Sequence, residues 1–534
     1  MTMQNEEIIE ALELTGKLME LHNENPFKSK AYGAAAYKLS KLRFDFQNKT
    51  ADDLKSIDGV GSGMLARIQD LMTHGSMQEL DQLLDKTPQG LIEVMQVKGL
   101  GPKKVRQLWL DLQIESVGEL LYACNENRLL TLKGFGEKTQ LQIRQNIEFM
   151  LASRNKFHYA SVEQAAFDFV STIQQQHKGQ VQLVGEMARK CEIIESIAIL
   201  ISEPVEADLS LISNQLPLPV NFYYCKQEVF GARSIELSST PAHLAEIGFS
   251  DLPASAGMKE ETVYEALGMQ FIPPELREGR GESTIARKYA LPQLISMSDL
   301  KGVLHNHTTD SDGVHTLKEM SDYCRELGYQ YLGICDHSRS AFYANGLDVE
   351  RVVAQHRAIE QLNVGYTDFR VLKGIESDIL SDGSLDYPEE ILKQFDFIVA
   401  SVHSNLKMTE EKATHRLIKA IENPYTSILG HPTGRLLLGR AGYPIDHKKV
   451  IDACAANKVH MELNAHPYRL DIDWRWIPYC LEKGVKISIN PDAHHKDGFA
   501  DMYYGTCIAR KGMLSAEQCL NALSLDKLLL NFKK

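Results

Sequence analysis

The stretch LKGVLHNHTTDSDG, Leu300–Gly313, runs from a short apolar strand into two histidines and then an acidic turn. His305 and His307 stand two residues apart, and a strand whose side chains alternate with a period of two sets both imidazoles on one face. Asp312 follows in the turn. The same pattern recurs along the rest of the chain. YLGICDHS ends at His337, RVLKGIES at Glu376, DFIVASVHS at His403 and SILGHP at His431; HMELNA follows, and VKISINPDAH closes the series with Asp492 and His494. These seven buried-looking strands alternate with helical stretches, which implies parallel pairing in a barrel or a wound sheet. A closed barrel is the expected form, because the C-terminal ends of its strands converge on one mouth.

A single histidine in a strand is ordinarily a core or surface residue, and His315, His356, His415, His447 and His460 are read that way. The constellation of His305, His307, Asp312, His337, Glu376, His403, His431, Asp492 and His494 is different, because ligand-type residues stand at successive strand ends. Mixed imidazole and carboxylate donors suit Zn²⁺, Mn²⁺ or Fe²⁺ rather than Ca²⁺. Nine candidates exceed what one ion can use. Two or three divalent ions are expected, Mn²⁺ or Zn²⁺, with Glu376 as the natural bridge.

The chain of 534 residues is too long for one core and is expected to divide into about three to four domains. Its 43% hydrophobic and 24% charged content is that of a soluble globular protein. The longest apolar runs are strand-length, well short of the roughly 20 residues that cross a bilayer. MTMQNEEIIEALELTGKLMEL carries acidic residues on a helical period and reads as a helix, not a signal peptide. Nine scattered cysteines without a C-x-x-C pair predict a reduced, cytoplasmic protein. A net charge of −13 argues against nucleic-acid binding by bulk charge, but not against local contacts through backbone amides.

Residues from about 5 to 150 read as helical, and a repeat appears within them: IDGVGSGMLARI (Ile57–Ile68), VKGLGPKKVRQLW (Val97–Trp109) and LKGFGEKTQLQI (Leu132–Ile143). Each has two glycines, Gly59 and Gly61, Gly99 and Gly101, Gly134 and Gly136, followed by a helix. The repeats resemble helix-hairpin-helix motifs, in which glycines permit a tight hairpin and the next helix offers its free N–H groups and positive dipole end to a phosphate. Lys103, Lys104 and Arg106 strengthen the middle copy and Lys138 the third. Packing between helices is the plain alternative.

The segments HNHTTDSDG, CDHS, GIESDI, SVHS, GHPTGR and NPDAH are similar, in order, to the motifs of the polymerase and histidinol phosphatase (PHP) domain family over residues 300 to 534. The resemblance implies a trinuclear metallo-phosphoesterase on a distorted seven-stranded (β/α)7 barrel. Its cations would polarise phosphoryl oxygens and lower the pKa of bound water, so no Ser or Cys nucleophile is needed. His305, His307, Glu376 and Asp492 are expected to hold one ion and the remaining ligands the others. His337, Glu376 and Asp492 form the expected catalytic set. Arg435 joins them as a phosphate contact by bidentate pairing, with a surface salt bridge as its equal alternative.

Taken whole, the chain resembles a bacterial family X DNA polymerase. NPFKSKAYGAAAYKL is similar to the family's N-terminal helical domain and YEALGMQFIPPELREGRGE (Tyr264–Glu282) to its thumb end. The middle departs from that pattern. Gly185 is kept, but Glu186 replaces a serine, and Ala188 and Arg189 stand where two arginines belong. Ser196 and Ala198 replace two metal-binding aspartates, Asn221 aligns with a third, and SSTPAH replaces a Thr-Gly-Ser segment. The connection between AILIS and PVNFYY also reads as short. Nucleotidyl transfer needs two Mg²⁺ ions held by carboxylates. Glu192 and Glu195 fall off those positions, and a one-residue slip reverses the face.

The expected architecture is therefore multidomain, α+β and α/β: a helical DNA-binding domain with the first hairpin (1–90), a tandem hairpin region (91–150), a degenerate nucleotidyltransferase-like α+β palm and thumb (151–290) and the PHP barrel (300–534). The expected function is a 3′–5′ exonuclease in DNA repair, with 3′-phosphatase or abasic-site cleavage as related activities. Its substrate would be gapped, nicked or 3′-ended DNA of any sequence, met by a monomer with no membrane partner. Three alternatives stand beside it: a working gap-filling polymerase that recruits Glu192 or Glu195, a small-molecule phosphatase of the histidinol-phosphatase type, and a non-catalytic end-binding scaffold.

Overall fold

Caps and spacing explain why the front of the chain is helical. Asn25 accepts hydrogen bonds from the backbone N–H groups of Phe27 and Lys28, and Pro26 stands at the first position of the helix Pro26–Ser40, where its missing N–H does no harm. That helix packs on Asn5–Leu21, which buries Ile8, Leu12, Leu18 and Leu21. The apolar core continues through Ile68, Leu91, Leu108, Leu120 and Ile143 of the helices that follow. A computed structural model of the chain describes residues 3–42, 44, 46–57, 59–203, 216, 218–251 and 259–532. They fall into two compact units, Met1–Arg154 and Asn155–Lys534. The short connection expected after AILIS, Asp58 of the first hairpin motif and most of the loop LPASAGMKEE lie outside the described residues.

The second unit begins with an α+β region. Strand β1 (Phe157–His158) pairs with β3 (Ile193–Ile194), and β2 (Val181–Val184), β4 (Ile197–Ser202) and β5 (Val220–Cys225) form a sheet in the order β2-β4-β5. β4 runs antiparallel to β2 and parallel to β5. Its alternation sets Ile197, Ile199 and Ile201 against the helix Tyr159–Gln176, through Val162, Phe169 and Ile173, while Leu200 turns to the other face with Val184 and Phe230.

The barrel is built from short parallel strands: β6 (Gly302–Val303), β7 (Tyr331–Ile334), β8 (Arg370–Lys373), β9 (Glu376–Asp378), β10 (Val399–Ser401), β11 (Ile428–Leu429), β12 (His460–Asn464) and β13 (Ile487–Asn490). β8 and β9 are two halves of one strand, interrupted at Gly374 and Ile375. β8 pairs with β7 and β9 with β10. A bridge between Asn306 and Ala493 joins the first strand to the last, so seven strands close into a barrel. Gly374 is where the interior leaves no room: a Cβ there would stand 2.5 Å from the Ile334 carbonyl oxygen and 2.6 Å from the Phe397 ring. The floor is filled by Leu304, Tyr331, Leu372, Phe397 and Ile428 with Leu520 and Leu528 from the C-terminal segment. With that end plugged, polar groups inside the barrel face the opposite mouth.

The segment IPPELREGRGE, whose Pro, Gly and charge read as an exit from a domain, is a buried joint within this unit. Arg277 is fully buried and pairs with Glu260. Glu275 accepts from Arg510, and the Lys511 ammonium, 1% exposed, donates to Glu278 at 2.7 Å and to the Arg189 carbonyl at 2.8 Å. Lys190 donates to the Tyr503 hydroxyl at 2.9 Å, and His158 stacks on Tyr468 with ring centroids 4.2 Å apart. The α+β region is thereby bolted to the barrel by buried and half-buried charges. Lys511→Met is expected to destabilise this unit by about 3 kcal/mol, since removing one partner strands the other's buried charge. Chemical denaturation should register the loss, and Glu278→Gln in the same chain should recover part of it.

Candidate metal centre

The strands end before the histidines begin. β6 stops at Val303, and His305 turns the chain with a φ of +58°; Asp492, beyond β13, does the same at +53°. The regular strand expected for H-x-H is therefore absent, and the two side chains converge for another reason. Such conformations cost on the order of 1–3 kcal/mol in non-glycine residues and persist where the surroundings over-determine them. Here His307 N–H donates to the Ala493 carbonyl and Cys335 N–H to the Asn306 carbonyl. The His305 and His307 rings come to rest 5.4 Å apart.

Glu376, with no solvent exposure, is the centre. Its Oε1 lies 2.9 Å from His431 Nε2, 3.1 Å from His403 Nε2 and 3.3 Å from His305 Nε2. Its Oε2 lies 3.0 Å from His337 Nδ1 and 3.7 Å from His307 Nε2. Asp492 Oδ1 stands 3.0 Å from His307 Nε2 and 3.6 Å from His305 Nε2. Asp312 Oδ1 stands 3.2 Å from His494 Nε2 and 3.6 Å from His337 Nε2. All nine residues singled out in the sequence thus meet at one mouth. Among the described residues, three groups have ligand atoms close enough to share an ion: His307, Asp312, His337 and His494; His305, His307 and Asp492; and His337, Glu376 and His403. The donor set fits divalent cations on a further observation. His305 Nε2, His337 Nδ1 and Glu376 Oε2 are buried and take part in no hydrogen bond, which a fold tolerates only where something else satisfies them.

Second partners aim these ligands. Glu462 on β12 accepts from or shares a proton with His305 Nδ1 at 2.6 Å, and its other oxygen accepts from the His431 backbone N–H at 2.6 Å. Asp378 lies 2.5 Å from His403 Nδ1 and is held by the Ser340 hydroxyl. Asp336 accepts from Thr308, Ser311 and Gln355, and so fixes the loop after His307. Carboxylates of this kind set the tautomer and orientation of ligating imidazoles. None was singled out in the sequence. The available signal was a glutamate inside HMELNA, since a charge on a fully buried strand needs a partner.

The charges balance one another against burial. Burial would raise Glu376, yet His403, His305 and His337 hold it well below the ordinary carboxylate range. Burial pushes His307 down to about 3. Burial also opposes the charge on His403, but Glu376 and Asp378 lift it to about 10, and Asp312 and Asp492 lift His494 to about 9 in the same way. A cation entering the cluster must displace those protons.

Arg435 is not among these residues. Its guanidinium donates to Asp473 at 2.8 Å and to the carbonyls of Arg469 and Leu470, and it faces Glu192 of the α+β region. Fixed by those acceptors, it serves as a structural clamp, the salt-bridge alternative of the sequence reading. The cation beside the cluster is Arg469, with Nη1 4.0 Å from Asp492 Oδ2.

The hairpins have their own geometry in the first unit. Gly59, Gly99 and Gly134 adopt φ near +90°, and Gly61, Gly101 and Gly136 cap the helices Ser62–His74, Pro102–Leu112 and Glu137–Ala152 without any side-chain hydrogen bond. A Cβ at Gly101 or Gly136 would meet nothing within 4 Å, and both have ordinary negative φ. Neither backbone strain nor packing inside the protein demands glycine at either position. Lys103 is 85% exposed and Lys138 is exposed. Lys104 lies over the Phe135 ring. Arg106 donates through Nη1 to the Leu21 carbonyl at the end of the first helix.

Residues 3–77 match a helix-hairpin-helix domain, residues 91–146 a SAM-like helix-hairpin-helix tandem and residues 304–466 the PHP domain. The chain is 31% identical, over a 563-residue alignment covering 98% of each sequence, to the DNA polymerase/3'-5' exonuclease PolX of Bacillus subtilis (strain 168). The chain belongs to the bacterial family X DNA polymerases that carry a PHP domain. About a third of the chain is also 30% identical over 199 residues to a probable phosphatase of Acetivibrio thermocellus, and 27% identical over 202 residues to one of Clostridium novyi; each alignment covers 36% of this chain and 78% of the relative. The PHP match stops at 466, and the structure supplies the last strand with Asp492 and His494.

Against the family pattern, the α+β region presents no carboxylate at the three expected positions. Ala198 on β4 pairs in register with Asn221 on β5 and with Val184 on β2, and Ser196 precedes the strand. Gly185 packs so close that its Cβ would lie 3.2 Å from that of Ala198. Glu192 faces Arg435 and Arg475, at 3.9 and 3.8 Å, and Glu195 pairs with Lys156 at 3.2 Å. For the metal centre, the orienting role of Glu462 has a direct consequence. Glu462→Gln is expected to weaken divalent-metal affinity by about 10–100-fold, read by chelator competition.

Proposed function

We propose that this chain is a metal-dependent phosphoesterase acting on DNA, foremost a 3′–5′ exonuclease, and that its α+β region no longer joins nucleotides. The observation that carries this reading is the convergence of nine ligand-type side chains on one barrel mouth around buried Glu376, set beside a palm-like sheet whose corresponding positions are Ser196, Ala198 and Asn221. His305, His307, Glu376 and Asp492 would hold one ion and Asp312, His337, His403, His431 and His494 the others, Mn²⁺ or Zn²⁺. Such ions polarise phosphoryl oxygens and lower the pKa of bound water.

The protein's own part is to orient and to bind. Glu462 and Asp378 hold the His305 and His403 rings in place. Arg469 supplies a positive charge at the edge of the cluster, suited to a phosphate oxygen. The plugged floor keeps the reaction at one face. Helix-hairpin-helix domains support DNA over a free phosphate monoester as the substrate, and gapped, nicked or 3′-ended DNA suits contacts that ignore sequence. The Bacillus subtilis relative is named for polymerase and 3′-5′ exonuclease activities together, and the clostridial relatives as probable phosphatases; phosphate-ester hydrolysis is common ground for the barrel. A working polymerase is disfavoured because Glu192 and Glu195 are engaged with basic residues.

On end-labelled gapped DNA with Mn²⁺, the native protein is expected to shorten 3′ ends and His337→Ala to lose at least 100-fold in rate, a deficit of about 2.7 kcal/mol in the barrier. Added nucleotides should bring no extension; a primer lengthened as readily as it is digested would sink the reading. Gly101→Thr with Gly136→Thr tests the hairpins. Threonine caps a helix about as well as glycine, so the fold should hold. A hydrogen bond to a charged group is worth about 1.5–3 kcal/mol, so DNA affinity should fall about ten-fold or more in a binding titration.

A further inference from the structure

Ser338 to Leu347 follow the ligand His337 in a tightly held turn. Ala341 N–H donates to the Ser338 carbonyl, Ala344 N–H and Gly346 N–H both donate to the Ala341 carbonyl, and Leu347 N–H donates to the His337 carbonyl. The Arg351 guanidinium clasps the Asn345 and Gly346 carbonyls at 2.9 and 3.2 Å. At Gly346 a Cβ would stand 1.9 Å from the Ser338 carbonyl oxygen, so the turn is closed against its own base. Ala341 and Ala344 are buried, whereas Phe342 is 85% and Tyr343 71% exposed. They are the one adjacent pair of large exposed apolar side chains among the described residues. The Tyr343 ring centroid lies 6.1 Å from that of His337 and 6.4 Å from that of His403.

Resting on the phosphoesterase reading above, we propose that Phe342 and Tyr343 form a stacking platform for the terminal base of a DNA strand whose phosphate lies at the cluster. Two aromatic faces held in water beside a phosphate-ester site match a ligand that carries a flat apolar ring one sugar away from its phosphate. A nucleotide has that form, and a small aliphatic phosphate does not. Stacking also suits contacts that ignore sequence, since every base has a π face. The pinned backbone means that little conformational freedom is lost when the base lands. The platform would give the mouth its preference for a nucleotide end.

The test compares two 3′ ends with the same phosphodiester, one bearing a normal base and one an abasic tetrahydrofuran. The Mn²⁺-loaded full chain is assayed as native protein, Phe342→Ala/Tyr343→Ala and Phe342→Trp, each checked for equal metal content and melting temperature. Native protein should favour the base-bearing end by about ten-fold or more in kcat/KM, mainly through KM. The double alanine variant should lose that preference to within about two-fold, and Phe342→Trp should keep it. A second readout is the fluorescence of 2-aminopurine at the 3′ terminus, recorded after rapid mixing and before cleavage. It should be quenched by native protein and not by the double variant. Equal rates on both ends in the native protein, or a preference and quenching that survive in the double variant, overturn the platform. A native protein that cuts neither end overturns the nuclease reading instead, and the quenching comparison then decides the platform alone.

Discussion

A carboxylate removed from water is among the costliest groups a fold can hold, unless charge surrounds it. Glu376 is such a group, and the C-terminal half of the molecule is arranged around it. Five imidazoles from four different strand ends approach its two oxygens. Around these, Glu462, Asp378 and Asp336 form a further layer of buried acids. A site with this much uncompensated polarity can be stable only if it is repeatedly cross-linked or if cations occupy it. The parallel strands are short because their task is to deliver residues to that mouth, and the positive-φ turns at His305 and Asp492 bend the chain inward once the strands have ended.

The rest of the second unit follows from the same economy of charge. Lys511, Arg510 and Arg435 leave the barrel and meet Glu278, Glu275 and Glu192 of the α+β region. These buried and half-buried pairs hold the two parts together. The sheet that carries Ala198 and Asn221 packs through its other face, where Ile197, Ile199 and Ile201 fill the core. Apolar alternation sets the frame, whereas any chemistry rests on a few polar positions that packing does not fix.

Much of this was legible in the linear chain. The nine ligand-type residues, the parallel barrel and the glycine hairpins are local patterns: a strand, an ending and a residue type, repeated. Local patterns read well because strand period and turn preference act over a few residues. Glu462, Asp378 and Arg469 were not legible, because each matters through a partner far away in sequence: Glu462 stands 157 positions after His305. Arg435 and Arg106 read as phosphate contacts by residue type, and the structure binds both to internal acceptors.

By itself, then, the sequence determined which residues have metal-type chemistry and that strands and helices alternate around them. These follow from side-chain identity and short-range periodicity. Tertiary structure alone decided which atoms face one another, because pairing across a barrel depends on closure. It was closure that brought the imidazoles onto Glu376, turned IPPELREGRGE into a buried joint, and left Phe342 and Tyr343 in water beside the mouth.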